Sequence, residues 1–228
     1  MNIFSSLLEL FFPRLCIACS NPLFKHESNL CDLCLFHLPR TNFEKDLNNP
    51  VAQLFWGRVK IEFATSFFYY SKGSKYQHIL HELKYKGKKE IGFEIGKIFG
   101  QEIRNSEFSQ VELVVPVPLH PSRQRKRGYN QAEWIAMGLS ESLAKPLENK
   151  SLSRISASST QTKKGRYDRW VNVEGIFRPT LPENFENKHI LLVDDVVTTG
   201  ATLEACGSVI LQTENVKLYI TTLAHAAI

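Results

Sequence analysis

The stretch Ile190-Leu-Leu-Val-Asp-Asp-Val-Val-Thr-Thr-Gly-Ala-Thr202 decides the fold of this chain. Its four apolar residues predict a strand that is buried on both faces and delivers Asp194 and Asp195 to its carboxyl end. The tight turn that follows leads into a helix, whose first N–H groups lack partners and attract anions. Gly200 allows the backbone to approach a ligand closely. Two carboxylates beside an anion site suit a ligand with both hydroxyls and phosphate, such as a phosphorylated sugar.

This segment resembles the phosphoribosyl-pyrophosphate (PRPP) motif of type I phosphoribosyltransferases at every position. The resemblance implies that Asp194 and Asp195 are the catalytic acids and hold the ribose 2′ and 3′ hydroxyls. It also implies that a second segment wraps the 5′-phosphate. This segment, the threonine loop, consists of Val197, Thr198, Thr199, Gly200, Ala201 and Thr202. The alternative is a buried strand that ends in acids by chance, followed by a threonine-rich helix cap.

Strands and helices alternate along the rest of the chain. Apolar and β-branched runs predict strands at 63–70, 112–117, 172–177 (an edge strand), 189–193 and 217–224. Helical periodicity covers 74–85, 89–104, 131–143 and 203–211. This order predicts an α/β fold with a mostly parallel sheet, flanking helices and ligands at the carboxyl ends of the strands.

Length and charge limit the kinds of protein that this chain can be. Its 228 residues fit one medium domain plus a small appendage, and the net charge of +5 suits an anionic substrate and permits nucleic acid. No apolar run reaches the length of a membrane span, so we expect no membrane insertion and a cytoplasmic protein. The apolar segment 1–12 lacks the basic residues with which a secretion signal begins. It places Ile3, Phe4, Leu7, Leu8 and Phe11 on one helical face, which favours packing.

Four of the five cysteines form two closely spaced pairs near the start of the chain. In a reducing compartment, two C-x-x-C pairs predict a tetrahedral zinc site rather than disulfides. A site with four protein ligands leaves no open position for water, so its role is structural. The predicted ligands are Cys16, Cys19, Cys31 and Cys34.

Two histidines and the fifth cysteine are not expected to bind the zinc ion. His26 and His37 lie near the cysteine pairs and offer alternative ligands, although we expect both to face solvent. Cys206 falls on the apolar stripe of the helix after the threonine loop, which favours a small core residue.

Two basic segments carry possible ligand contacts. The first, Arg123, Arg125, Lys126 and Arg127, follows a predicted strand end and forms a loop before a helix that begins near Tyr129. Clustered guanidinium groups suit a pyrophosphate leaving group, and the alternative is a solvated basic turn. The second segment, 160–172, mixes Lys163, Lys164, Arg166 and Arg169 with Tyr167 and Trp170. It suits closure over a nucleotide, a groove for single-stranded nucleic acid, or a mobile basic loop.

The whole pattern is similar to the ComF/ComFC (GntX-like) family, in which a four-cysteine zinc finger precedes a phosphoribosyltransferase domain. The matching pieces are Phe12-Pro13-Arg14 before the cysteines, Leu83-Lys-Tyr-Lys-Gly87, Val115-Pro-Val-Pro118, Arg127-Gly-Tyr-Asn-Gln131, and Gln161 with Arg166 and Asn172. We therefore expect an N-terminal helix and zinc finger over 1–40 and a type I phosphoribosyltransferase-like domain over 61–228. Between them, the polar, turn-forming stretch 39–50 predicts a linker, which we place at 41–60. The resemblance also implies a role in natural competence, acting on incoming single-stranded DNA or on nucleotides.

The favoured hypothesis is a phosphoribosyltransferase that uses PRPP with Mg²⁺, with Lys84 assisting from the opposite rim. The acceptor stays open, because no side chain stands out as a general base. One alternative is a non-catalytic DNA-binding competence factor that keeps the PRPP pocket as a sensor. Another is an adaptor that docks a helicase or recombination protein through the Phe4, Leu8 and Phe11 face.

Overall fold

The computed structural model describes residues 12–155 and 175–226. Their helices are α1 (Asp32–Phe36), α2 (Pro50–Gln53), α3 (Gln77–Tyr85), α4 (Glu90–Ile103), α5 (Pro121–Arg127), α6 (Gln131–Leu143) and α7 (Ala201–Ile210). The strands are β1 (Phe63–Tyr70), β2 (Leu113–Pro116), β3 (Leu152–Arg154), β4 (Phe177–Pro179), β5 (His189–Val197) and β6 (Lys217–Ala226). Short 3-10 helices span Phe43–Lys45, Glu107–Gln110 and Pro182–Asn184.

A parallel sheet forms the centre of the fold, with the strand order β1-β6-β5-β2. Side chains of β5 alternate between two apolar layers, as the pleat of a strand requires. Leu191 and Val193 pack in the layer of α4 and α6, whereas Ile190 and Leu192 pack in the layer of α7. The predicted α/β fold with a mostly parallel sheet and helices on both faces is therefore confirmed.

Strand β5 is longer than its apolar run predicts. It continues through Val197, so that Asp194 and Asp195 lie within the strand and not after it. The reason is that β6 also extends to Ala226 and supplies partners along the whole length, pairing Asp194 with Thr222 and Val197 with His225. The two acids are thus fixed by the backbone of the sheet rather than by a loop.

Two glycines allow the backbones of α4 and α6 to approach each other closely. A Cβ at Gly138 would lie 2.1 Å from the carbonyl oxygen of Phe93, and one at Gly96 would lie 2.4 Å from that of Ile135. Only residues without a side chain permit this approach. It fixes α6 against the sheet, with the start of α6 at the carboxyl edge where β5 carries the acids.

The basic segment predicted as a loop is the short helix α5. Its first turn is capped by His120, whose Nδ1 accepts the N–H of Ser122, and Pro121 occupies the first helical position. Gly128 ends it in a left-handed conformation with φ 83°. The following helix, expected near Tyr129, begins at Gln131. Helical spacing therefore decides which basic side chains share a face.

The segment 41–60, predicted as a linker, packs into the molecule. Phe43, Val51 and Phe55 are buried in the same apolar layer as α7. The buried Asn49 accepts the N–H groups of Val51 and Ala52 and donates to the carbonyl of Ala64 in β1. The segment is therefore an integral part of the core and not a free connection, because its apolar side chains bury against the sheet.

Strands β3 and β4 form a second, two-stranded antiparallel sheet, and the sequence predicted only part of it. The predicted edge strand 172–177 overlaps β4 at Phe177, and its first three positions lie outside the described residues. The basic segment 160–172 and the apolar face of residues 3–11 also lie outside them.

The cysteine-rich segment, residues 12–40, packs against α4 and the start of α3. The Tyr76 hydroxyl donates to the Cys34 carbonyl at 3.1 Å, and Asn29 donates to Glu94 at 2.6 Å. Arg40 binds Glu102 at 2.8 Å. Across residues 12–155 and 175–226, no helix is long and apolar enough to cross a membrane.

Candidate functional site

The two adjacent acids of β5 form the centre of the site. Asp195 makes an ion pair with Lys84 from the last turn of α3, with 3.1 Å between Nζ and Oδ2. The backbone N–H of Asp195 donates to Asp194 Oδ1 at 2.8 Å. Both acids are half-buried and line cavities at the carboxyl edge of the sheet. Among the described residues, no donor bonds the other oxygen of either carboxyl group, so these oxygens can accept hydrogen bonds from the hydroxyl groups of a ligand.

The environment of Asp194 disfavours the charged form of its carboxyl group. Burial and the neighbouring charge of Asp195 raise the pKa of Asp194 from 3.8 to about 7. The Asp195 N–H, Lys84 and Arg154 act in the opposite direction and do not compensate. The folded protein therefore holds this carboxyl protonated over a pH range in which the unfolded chain releases the proton.

This shift predicts a specific pH dependence of stability. Because the folded pKa is raised, the contribution of Asp194 is fully present below the unfolded value near 3.8 and is lost as pH rises through about 7. Between about pH 5 and pH 7, the free energy of unfolding should fall, relative to Asp194→Asn, by at most about 1.4 kcal/mol per pH unit. Urea unfolding of both proteins across this range measures it, and parallel curves would contradict it.

The loop after β5 forms a small, exposed concavity. A cavity of 40 Å³ is bounded by Asp194 and by the chain from Val196 to Leu203. Thr198, Thr199, Ala201 and Thr202 are exposed, whereas the Val197 side chain is buried and leaves only its backbone for a ligand. Gly200 adopts φ 75° directly before the first turn of α7. The backbone N–H groups of this turn are thus available to an anion.

The threonine loop is held from behind by contacts that the sequence did not predict. Arg58 donates to the Thr199 carbonyl at 2.9 Å and forms an ion pair with Glu204 in the first turn of α7. A Cβ at Gly200 would lie 3.1 Å from the ring of Phe55. These contacts come from the segment predicted as a linker, so no local sequence signal marked them.

A second cavity of 200 Å³ lies on the other side of the acids and is lined with positive charge. Of the predicted basic residues, Lys84, Arg123 and Arg127 line it. Arg125 and Lys126 do not line it and are exposed, because four-residue spacing in α5 places only Arg123 and Arg127 on the same face. A larger cavity of 570 Å³ lies beside Phe63 and Gln110, at the amino end of the sheet.

Three polar residues of the basic cavity were not predicted as site residues: Asn130, Gln131 and Arg154. Asn130 caps α6 through the N–H of Ala132 and donates to the Val117 carbonyl, which joins α6 to the end of β2. Burial, followed by the charge of Arg123, lowers the pKa of Arg154. Its guanidinium is held 5.2 Å above the ring of Phe177. Only the pairing of β3 with β4 brings it to the acids.

The four N-terminal cysteines converge as a zinc site requires. Their sulfur atoms all lie within 4.8 Å of one another, and those of Cys19 and Cys31 are 3.7 Å apart. Sulfurs arranged tetrahedrally around zinc at about 2.3 Å would be roughly 3.8 Å apart. The donor set therefore fits a structural zinc ion, with soft thiolate ligands and no open position.

The surroundings favour the thiolate form of Cys16, whereas burial raises the pKa of Cys31 and of Cys34. Burial acts to raise the pKa of Cys16, but backbone N–H groups, first that of Cys31, lower it to about 7. Lys75 places its ammonium 3.7 Å from the Cys34 sulfur. His26 and His37 are exposed, as predicted, and His26 instead pairs with Asp32 at 2.9 Å. Cys206 is fully buried under β5, as predicted for a core residue.

The chain is similar in sequence to proteins named for competence and DNA utilization. The DNA utilization protein YhgH of Salmonella typhimurium is 29% identical over 138 residues, which are 59% of this chain and 60% of that protein. Competence protein F of Haemophilus influenzae is 38% identical over 101 residues, 44% of each chain. Competence protein ComFC of Bacillus subtilis is 32% identical over 148 residues, 63% of this chain and 56% of that protein. The chain thus spans less than two thirds of the length of each of these relatives.

These relatives confirm the expected resemblance to the ComF/ComFC family. The family model described as the phosphoribosyl transferase domain matches residues 84–227. That range includes Lys84, the basic helix α5 and the acid pair with its threonine loop. Because the match covers more than half of the sequence, the chain belongs to the phosphoribosyl transferase domain family.

Proposed function

We propose that this protein binds PRPP and transfers its phosphoribosyl group, and that this activity has a role in DNA uptake or utilization. The observation that carries the proposal is the position of the acid pair. Asp194 borders both the threonine loop and the basic cavity. A ligand that presents a diol between two phosphate groups matches this order of acids and anion sites, and PRPP is such a ligand.

Each part of PRPP has a complementary partner. The 5′-phosphate binds the N–H groups and hydroxyls of Thr198 to Thr202, at the positive end of α7. The ribose 2′ and 3′ hydroxyls donate to Asp194 and Asp195. The pyrophosphate binds Arg123 and Arg127, whose guanidinium groups hold phosphate oxygens in pairs. Lys84 exchanges its ion pair with Asp195 for the incoming phosphate.

The oxygen donors of this site fit Mg²⁺. Carboxylates, ribose hydroxyls and phosphate oxygens are the hard ligands that this ion prefers, and Asp194 and Asp195 are the side chains that would hold it near the substrate. When bound, the ion neutralises charge on the pyrophosphate.

The residues of the chain then stabilise separation of charge. As the bond from ribose C1 to pyrophosphate breaks, negative charge grows on the leaving group, and Arg123, Arg127 and Lys84 offset it. The carboxylates of β5 keep the ribose oriented while C1 becomes positive. Among the described residues that line the cavity, no histidine or carboxylate besides the acid pair is placed to act as a general base for the acceptor.

The biological role rests on the relatives, which are named for competence and DNA utilization. Phe24 and Phe36 of the cysteine-rich segment are exposed to 70% and 79%, which supports stacking of single-stranded bases there. A DNA-binding competence factor with a PRPP-sensing pocket is therefore the second candidate. Docking of a helicase or recombination protein stays a prediction.

Calorimetric titration of the full chain with PRPP and MgCl₂ tests the proposal. We expect one PRPP per chain, with affinity that increases with MgCl₂. ATP, which also carries polyphosphate and a ribose diol, is the control ligand, because its phosphates and diol are joined in a different order. Absence of PRPP binding, or equal affinity for ATP, would contradict the proposal. Release of pyrophosphate from bound PRPP, screened against bases, nucleosides and single-stranded DNA, then separates a transferase from a sensor.

A further inference from the structure

The first residue of α6, Gln131, is buried beside the acid pair although its side chain is polar. It is 2% exposed and lines the basic cavity together with Asp194 and Asp195. Its Oε1 accepts a hydrogen bond from Arg127 Nη1 at 2.8 Å. A guanidinium offers only donors, so the carboxamide has to turn its oxygen toward Arg127 and its nitrogen away from it. The orientation of this amide is therefore fixed by chemistry.

The nitrogen of this amide is left without a protein acceptor. Among the described residues, Gln131 Nε2 is buried and makes no hydrogen bond. A buried N–H group without an acceptor is costly, and in a native protein such a group requires a partner such as a bound water, an ion or a ligand. Arg154 Nε, in the same cavity wall, is likewise buried and without a partner in the described part of the chain. Two unsatisfied donors in one cavity indicate a ligand that is rich in acceptor oxygens.

Arg127 depends on the same amide for its position. Its guanidinium lies 5.6 Å from the centre of the Tyr85 ring and is bound on another side by Gln131 Oε1. These two contacts hold a long side chain that would otherwise sample many rotamers. The amide thus bonds one cavity cation through its oxygen while its nitrogen stays available for a ligand.

We propose that Gln131 is a pyrophosphate-binding residue, with Nε2 donating to a pyrophosphate oxygen while Oε1 positions Arg127. This inference rests on the proposed function and adds a neutral donor to a leaving-group site that otherwise uses charged groups. It assigns Gln131 to the pyrophosphate half of PRPP and not to the 5′-phosphate half, which binds at the threonine loop.

The test compares inorganic pyrophosphate with ribose 5-phosphate, each titrated with MgCl₂ into the full chain. Gln131→Glu keeps an oxygen acceptor for Arg127 but replaces the N–H donor by a negative oxygen. We expect roughly 10- to 100-fold weaker pyrophosphate binding, with ribose 5-phosphate binding unchanged within about twofold. Gln212→Glu, on the exposed turn after α7, adds the same charge away from the cavity and serves as the matched control.

Gln131→Met provides a second variant of similar length without a charge. It should also weaken pyrophosphate binding and spare ribose 5-phosphate, and circular dichroism verifies the fold of each variant. Equal loss of both ligands in both variants would show a merely structural role and overturn the inference. Wild-type affinity for pyrophosphate in either variant would overturn it while leaving the proposed function intact. If the wild-type chain binds neither PRPP nor pyrophosphate, both proposals fail.

Discussion

Replacing Asp194 and Asp195 together by Asn is expected to abolish PRPP binding without unfolding the protein. Each carboxylate would lose a charge-assisted hydrogen bond to ribose, worth about 2 kcal/mol, so the pair should cost on the order of 1000-fold in affinity. The fold should survive, because Asn has nearly the same shape and because the change removes repulsion between two adjacent carboxyl groups. Calorimetry with PRPP and MgCl₂ measures the loss, and thermal unfolding verifies the fold.

The control for this prediction removes the same charge elsewhere. Glu183→Gln with Glu186→Gln changes two exposed carboxylates at the amino edge of β5, far along the strand from the acid pair. This variant should bind PRPP as the wild type does. Binding by the Asn variant within about threefold of the wild type would refute the assigned role of the acids. In cells that take up DNA, loss of transformation with the Asn variant favours PRPP chemistry, whereas retention favours the DNA-binding alternative.

Removing ligands of the candidate zinc site, on the prediction that it holds one ion, should have the largest effect on stability. Cys16→Ser with Cys34→Ser takes away two ligands, and we expect the bound zinc to fall from one ion per chain to none. The cysteine-rich segment shares an apolar cluster with Phe67 and Tyr76 of the large domain. Loss of metal should therefore lower the midpoint of thermal unfolding of the whole protein by about 10 °C. Metal analysis and calorimetric melting measure both results.

Cys206→Ala is the matched control for the zinc prediction. It removes a buried thiol that lies outside the cluster and should retain one zinc ion per chain. His26→Ala should also retain the metal, because His26 is exposed and paired with Asp32. Loss of zinc in the histidine variant would instead support mixed ligation. An unchanged melting midpoint after loss of zinc would show that the segment is an independent appendage.

The two main predictions are physically connected through α3. This helix begins after Tyr76, whose hydroxyl binds the Cys34 carbonyl, and its last turn carries Lys84 next to Asp195. A helix transmits position along its axis because each turn is bonded to the next. Loss of zinc should therefore also weaken PRPP binding, by less than the change of the acid pair does, since Lys84 is one of several cations in the cavity.

The sequence by itself determined the features that arise from local patterns. The apolar run before Asp194 predicted a central strand, because a strand covered on both faces needs apolar side chains without alternation. The threonines and Gly200 predicted a tight turn into a helix, because glycine allows a close backbone approach, and the structure places Gly200 at φ 75° directly before α7. The cysteine spacing predicted a four-sulfur cluster, because x-x spacing turns two thiolates toward one point.

Tertiary structure alone decided which distant residues complete the site. Arg58 reaches the threonine loop through the packing of the segment 41–60. Gln131 lies near the acids because α6 packs closely against α4, and Arg154 lies near them in the strand β3, which pairs with β4. Such contacts depend on the positions of elements far apart in the chain, and residue periodicity carries no information on those positions. The helical form of α5 likewise decided which basic side chains face the cavity. Four-residue spacing places Arg123 and Arg127 on one helical face and Arg125 and Lys126 elsewhere, and the number of charges in the sequence does not reveal this.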